Sequence, residues 1–275
     1  MKTVGIIGGT GAMGGLFAPV FSRAGFDVEI SGRTTPLSNR DLAMDSDIVI
    51  ISVPIRETVK VIEEIAPFLS ADQVLCDFTS LKVKPIAAML GTPAQVLGLH
   101  PMFGPGVASL AGQTVIATPA RCASPVCTEI LDVFRNEGAR VTITTPEEHD
   151  RIMAVIQGLM HFSTLVVAET MRSAGVSPVE MQRFTSPVYR IETGIVGRIL
   201  GQEADLYGPI LQENPEVGRI VSSFVQASER LAEIVTGGDT GKFDAFFAAN
   251  REFFLPVIPE STDVTDRLIA SLVNP

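Results

Sequence analysis

Along the first 145 residues, short apolar runs alternate with longer stretches whose apolar positions recur at helical spacing. The runs are Thr3–Ile7, Asp27–Ser31, Asp47–Pro54, Gln73–Phe78, Val96–His100, Thr114–Ala117 and Arg140–Thr144. They are rich in Val and Ile. Ile48-Val49-Ile50-Ile51 is apolar at consecutive positions, as in a strand covered on both faces. Helix-length segments such as Glu57–Leu69 and Ser124–Glu137 lie between them. This alternation predicts a doubly wound parallel sheet.

The pattern changes at Thr145. In Thr145-Pro146-Glu147-Glu148, Thr145 can cap a helix, Pro146 suits its first turn and Glu148 completes a capping box. Beyond it no strand pattern recurs. Arg151–Ala174, Glu216–Thr236 and Lys242–Phe254 carry apolar residues at helical spacing. The expected fold is an α/β N-terminal Rossmann domain (residues 1–145) followed by an all-helical C-terminal domain (residues 146–275). The expected boundary carries no long linker. No repeat or low-complexity tract is present.

Composition narrows the class. Apolar residues make up 46% of the 275 and charged residues 19%, a globular balance. The net charge of −10 argues against nucleic acid or an anionic membrane as main partner. Three cysteines, with no C-x-x-C pair, read as reduced apolar core residues. No apolar run reaches the length of a membrane span, Ile48–Ile55 being the longest candidate, and Met1-Lys2 leads directly into a strand. The expected location is cytoplasmic. No metal site is expected.

Gly9-Thr10-Gly11-Ala12-Met13-Gly14 is a G-x-G-x-x-G loop between a first strand and a helix, the context that a dinucleotide pyrophosphate requires. Pro19 in that helix should kink it or end it early. The second strand ends in Ser31-Gly32-Arg33-Thr34, where an NAD site usually carries an acid for the ribose 2′-hydroxyl. Ser31, Arg33 and Thr34 suit a 2′-phosphate by charge-assisted bonds, so NADP is preferred, with NAD possible. Arg33 stacking on adenine is the alternative. Val53-Pro54 ends the third strand beside the same crevice.

The next two strands end in Asp77-Phe78-Thr79-Ser80-Leu81-Lys82 and Leu97-Gly98-Leu99-His100-Pro101-Met102-Phe103-Gly104. These place Ser80 and His100 near a nicotinamide. An imidazole can take a hydroxyl proton near neutral pH, and a serine can orient that hydroxyl or cap the next helix.

Together with Glu148-His149-Asp150, Gln157–Thr164 and Ser186–Glu192, these segments resemble the prephenate dehydrogenase family over nearly the whole chain, to about Phe254. The resemblance implies oxidative decarboxylation of prephenate to 4-hydroxyphenylpyruvate and CO2 with reduction of NAD(P), in tyrosine biosynthesis. It implies His100 as acceptor of the C4 hydroxyl proton, Ser80 as its hydrogen-bonding partner, and His161 at the substrate's polar end. It implies a small dicarboxylate substrate. Arg190 and Arg198, eight apart, lie within about 80° on one helix face and can grip carboxylates in planar forks. Arg198 is the stronger ligand by resemblance; Gln202 and Tyr207 are further candidates. His149 reads as a structural, helix-positioning group. The resemblance also implies a homodimer built on the helical domain. The sequence opens on the first Rossmann strand, so the fused chorismate mutase segment of some relatives is not expected.

Arogenate and 4-amino-4-deoxyprephenate are alternative substrates within the family. A β-hydroxyacid dehydrogenase or deazaflavin-dependent NADP reductase is disfavoured, because residues 151–230 contain no Lys for the usual catalytic position. A non-catalytic NADP-binding sensor is the alternative of another class.

Overall fold

A computed structural model describes residues 1–122 and 125–273. The chain divides into two compact units, Met1–Ala154 with Asp205–Pro215, and Val155–Ala204 with Glu216–Pro275.

The first unit is built on seven strands: β1 (Thr3–Ile7), β2 (Asp27–Ser31), β3 (Ile48–Ile51), β4 (Val74–Asp77), β5 (Gln95–Pro101), β6 (Thr114–Arg121) and β7 (Arg140–Ile143). Their order is β2-β1-β3-β4-β5-β6-β7. The sheet is mostly parallel, as the alternation predicts, with one departure: β6 runs antiparallel to β5. Parallel neighbours need a crossover helix, and the segment between β5 and β6 holds none.

Six helices accompany the strands: α1 (Ala12–Arg23), α2 (Asn39–Asp45), α3 (Ile55–Ile65), α4 (Val83–Leu90), α5 (Pro125–Asn136) and α6 (Pro146–Met153). The expected start of α5 at Ser124 lies outside the described residues. Both sheet faces are buried. Phe17, Phe21, Phe78 and Phe134 pack on one face, with Phe17 and Phe78 at 4.4 Å between ring centroids. Val49, Ile51, Ile62, Ile65 and Met89 pack on the other. The consecutive apolar residues of β3 are thereby accounted for.

Two local expectations change. Helix α1 runs on through Pro19. The ring is exposed, so the Gly15 carbonyl that it leaves without an N–H faces solvent rather than core. Thr145 caps α6, its hydroxyl accepting from Glu148 N at 3.2 Å, but the Glu148 carboxylate turns to Arg151 (2.6 and 2.8 Å) instead of closing the capping box. Of the three cysteines expected to be reduced, Cys76 is free and buried; Cys122, just after β6, and Cys127, in the first turn of α5, stand with Cα atoms 6.1 Å apart, within disulfide reach.

The second unit is helical: α7 (Met160–Ser173), α8 (Pro178–Met181), α9 (Pro187–Leu200), α11 (Val217–Gly237), α12 (Thr240–Phe254) and α13 (Ile258–Val273). Between them in sequence, α10 (Ala204–Glu213) belongs mostly to the first unit. A π-helical turn over Ala154–Leu159 joins α6 to α7, a wide turn that the apolar spacing does not reveal. The stretch Pro146–Ser173 has a mean hydropathy of 1.5 over its most apolar window, enough by length and composition to cross a membrane. The expectation that no segment has this character is therefore corrected: helical continuity across the π turn joins apolar runs that look short singly.

Candidate active site

The glycine loop lies between β1 and α1. Gly8, one residue ahead of the G-x-G-x-x-G pattern, has φ +81°, and a Cβ there would meet the Ser52 carbonyl at 2.4 Å. Its amide and that of Gly9 donate to the Ser31 carbonyl at 2.9 and 3.0 Å, tying the loop to β2. A Cβ on Gly14 would fall 2.6 Å from Gly8 O and from Gly9 Cα, so only glycine lets α1 approach the loop this closely. Gly11 is the N-cap of α1, with no side-chain cap. The first-turn amides of a helix have no intrahelical acceptor, and the dipole there favours anions. Gly11 and Ala12 are exposed, and a Cβ on Gly11 would come within 3.1 Å of the Gly8 carbonyl oxygen. The donor set and the open cradle fit a dinucleotide pyrophosphate.

The other predicted cofactor positions divide. Thr10 is exposed and lies against Gly32, whose added Cβ would meet Thr10 Oγ1 at 2.4 Å. Met13 is partly buried against the core. Ser31 is fully buried and donates to Asn39 Oδ1 at 2.9 Å, so its hydroxyl is turned away from a cofactor ribose. Arg33 and Thr34 are exposed, and Val53 is half-buried. Arg33 and Pro54 border a cavity of about 430 Å³ with Arg56, Glu57, Asp205 and Pro209. Arg56 also reaches α10, donating to Gln212 Oε1 at 2.8 Å and pairing with Asp205 and Glu213 at 3.4 Å each.

At the carboxyl ends of β4 and β5 a buried polar cluster forms. Lys82 and Asp77, both without exposed side chain, form an ion pair that Thr79 joins through its hydroxyl. Burial pulls Lys82 below the ordinary lysine range, and Asp77 opposes this. Ser80 is half-buried in the same loop, and the residue that begins α4 is Lys82 rather than Ser80.

His100, in β5, is buried, with its Nδ1 2.8 Å from His149 Nε2. His149 Nδ1 lies 2.7 Å from Asp150 Oδ1. Asp150 accepts from the amides of Lys82 (2.9 Å) and Val83 (3.0 Å), capping α4 from α6. Asn214 Nδ2 donates to the Asp150 carbonyl at 2.8 Å. Burial is the first cause that holds His100 well below the ordinary imidazole range, followed by His149 and Lys82. Burial also lowers His149, against its hydrogen bond to the Asp150 carboxylate. A neutral imidazole keeps a ring lone pair and is equipped to accept a proton.

The sequence reading gave His149 a structural role and did not single out Asp150; the geometry ties both to His100. Glu148-His149-Asp150 immediately after a helix cap was the available signal.

A family model described as the prephenate dehydrogenase nucleotide-binding domain matches residues 24–143, and one described as the prephenate dehydrogenase dimerization domain matches residues 145–249. The chain belongs to the prephenate dehydrogenase family. A Methanocaldococcus jannaschii protein named as a probable arogenate/prephenate dehydrogenase is 35% identical over 260 residues, covering 88% of this chain and 58% of its own length. The Haemophilus influenzae T-protein is 34% identical, covering 90% of this chain and 66% of its own length. The chain thus spans about three-fifths to two-thirds of those two relatives. A 4-amino-4-deoxyprephenate dehydrogenase of Streptomyces pristinaespiralis is 26% identical over 90% of the chain and 89% of its own length. The fold matches Aquifex aeolicus prephenate dehydrogenase, solved with hydroxyphenyl propionate and NAD+, at TM-score 0.74 and 21% identity, covering 94% of this chain and 98% of that one.

Of the family's substrate candidates, Tyr207 is half-buried on α10 in the first unit. His161, Arg190, Arg198 and Gln202 belong to the second. His161 is half-buried on α7, and burial lowers its pKa. Arg190 and Arg198 are both exposed on α9. Arg190 borders a cavity of about 1430 Å³ with Glu169, Arg172 and Tyr189, whereas Arg198 is not among its lining residues. Glu169 pairs with Arg172 at 2.6 Å rather than with Arg190. Gln202 Nε2 donates to the Arg198 carbonyl at 3.1 Å.

Proposed function

We propose that this protein is a prephenate dehydrogenase, oxidatively decarboxylating prephenate to 4-hydroxyphenylpyruvate and CO2. The observation that carries the reading is the buried imidazole of His100, held well below the ordinary imidazole range near the end of β5 in a chain of this family. A bound nicotinamide supplies the hydride acceptor. The chain's own work is to hold the ring, remove the C4 hydroxyl proton and neutralise two carboxylates. His100 accepts the proton. Ser80 holds the hydroxyl toward it. By resemblance, Arg198 and Arg190 offer the guanidinium forks for the carboxylates, and His161, Gln202 and Tyr207 are further polar groups for the substrate. As C4 loses hydride and the ring carboxylate departs, the ring becomes aromatic, which drives the reaction.

NADP is the preferred cofactor. Arg33 and Thr34 stand exposed where an NAD site carries an acid, and Arg56 adds a second guanidinium to the same cavity. Asp205 and Glu57 also line that cavity and can accept from a ribose 2′-hydroxyl, which keeps NAD as a usable cofactor. Turnover of prephenate, arogenate and 4-amino-4-deoxyprephenate, each with NAD and NADP, tests both assignments. The expected result is the highest kcat/KM for prephenate with NADP. A higher value for an amino-bearing substrate overturns the substrate assignment.

The second unit forms a homodimer in this reading. It exposes Phe184, Phe247 and Phe253 at 80%, 61% and 79%, a large apolar surface for one chain, and it matches a dimerization domain. The exposed Val155, Ile156, Met160, Val166 and Val167 add to the apolar surface of that unit, and the protein works in the cytoplasm in this reading. Sedimentation at micromolar concentration should give a dimer; a monomer refutes the assembly.

A further inference from the structure

His100 does not work alone: its neighbours settle which ring nitrogen carries its hydrogen. Asp150 has its carboxylate pinned by the Lys82 and Val83 amides and its carbonyl held by Asn214. A carboxylate fixed in this way accepts, so the hydrogen between it and His149 sits on His149 Nδ1. A neutral His149 then presents a bare Nε2. The 2.8 Å contact to His100 makes His100 Nδ1 the donor. The lone pair of a neutral His100 is thereby fixed on Nε2. Each imidazole is orientated by the next group outward, and the last is anchored to backbone.

The surrounding charges are unequal for the two rings. Among the described residues, Asp77 from β4, Lys82 at the start of α4, and His149 and Asp150 from α6 are the charged and titratable groups that act on them. Lys82 disfavours a cation on either ring. His149 has a carboxylate, that of Asp150, in direct hydrogen bond to offset that. A proton that arrives at His100 is therefore better held one ring further out.

We propose that His149, anchored by Asp150, is a positioning residue that fixes the His100 tautomer and then takes the proton on. The inference rests on the reading of His100 as the proton acceptor. In the step, the substrate O–H bond breaks and an N–H bond forms at His100 Nε2. The His100 Nδ1–H bond breaks as a new one forms at His149 Nε2. His149 becomes an imidazolium against the Asp150 carboxylate, and His100 returns to neutral with its hydrogen on Nε2. The O–H bond pair becomes C4=O as the C4–H pair leaves as the hydride of the proposed oxidation, and the pair freed when CO2 departs returns to that oxygen. The hydrogen on His149 Nε2 then returns to His100 Nδ1 as the one on His100 Nε2 goes back to the phenol oxygen, which restores the starting tautomers.

The chain contains three histidines, so all their ring nitrogens are resolvable by long-range 1H–15N correlation in uniformly labelled protein. In the unmodified protein, His100 and His149 should both show the Nδ1–H tautomer. His149→Phe removes the acceptor and should abolish that preference at His100, with kcat lower by about 100-fold and KM little changed. His149→Gln keeps an acceptor oxygen but cannot carry the proton. It should retain the His100 tautomer, recover part of the kcat loss, and move the acid limb of kcat/KM upward toward the ordinary imidazole range. An unchanged His100 tautomer in His149→Phe, or an unmoved acid limb in both variants, overturns the relay. His100→Asn separates the two levels: full activity in that variant removes the acceptor reading itself, whereas its loss beside silent His149 variants removes only the relay. If His149→Phe does not fold, the tautomer pattern of the unmodified protein and the His149→Gln profile decide the matter.

Discussion

Replacing Lys82 with Met tests whether the buried ion pair beneath the site is needed for the fold. Lys82 and Asp77 are both 0% exposed in their side chains, so neither charge is relieved by solvent. Without the ammonium, Asp77 Oδ2 keeps the Thr79 hydroxyl and the Thr79 amide at 3.1 Å. Asp77 Oδ1 is buried without a hydrogen-bond partner in the structure. Removing one partner of a buried pair costs about 3–5 kcal/mol, because the remaining charge is left unpaired. Replacing both charged groups, as in Asp77→Asn with Lys82→Met, should cost less than the sum of the two single changes by about 1–3 kcal/mol. Urea unfolding followed by circular dichroism measures the losses, and hydrogen exchange of the β4 and β5 amides assigns them to the first unit. The same substitution removes a positive charge that lowers His100, so the acid limb of activity should move up in pH. A Lys82→Met protein within about 1 kcal/mol of the parent, with strictly additive single and double changes, refutes the reasoning.

Other outcomes follow from the same geometry. Gly14→Ala places a Cβ 2.6 Å from backbone atoms of the loop; overpacking of this kind costs about 1–3 kcal/mol, and NADPH binding followed by nicotinamide fluorescence should weaken about tenfold or more. An affinity equal to the parent's contradicts the close approach of α1. Arg33→Ser should weaken NADPH about tenfold to a hundredfold while leaving NADH within a few-fold; equal losses for both cofactors contradict a 2′-phosphate contact. Stability should also depend on pH. His100, His149 and His161 all have pKa values lowered on folding, so the unfolded chain binds more protons below its ordinary imidazole value. Their contribution is complete above about pH 6.5 and is lost as pH falls through the lowered values. A thermal midpoint that stays level from about pH 7.5 to 5 contradicts this.

Much of the first unit was legible because burial on both faces leaves a plain mark. Thr3–Ile7 and Asp27–Ser31 are strands over the very residues the apolar pattern delimits. Reversal of β6 was not legible, since the apolar pattern of Thr114–Arg121 carries no mark of strand direction, whereas a missing crossover helix does. In the site, the strand-end position of His100 could be read from alternation and motif. Its partner could not: 49 residues separate His100 from His149, and no local period records a hydrogen bond across that distance. Ser31 shows the converse. Its place at the end of β2 suggested a phosphate ligand, but Asn39 on α2 engages the hydroxyl from inside. The π turn at Ala154–Leu159 was hidden because it widens a helix without changing the apolar character around it.

The account depends most on His100 as the group that receives the substrate's proton, and turnover of prephenate by the His100→Asn protein tests it most directly. Loss of a positioned base lowers kcat by about 10²–10⁴-fold, with KM for prephenate and affinity for NADPH little changed. A kcat within a few-fold of the parent, with the same pH profile, contradicts the assignment.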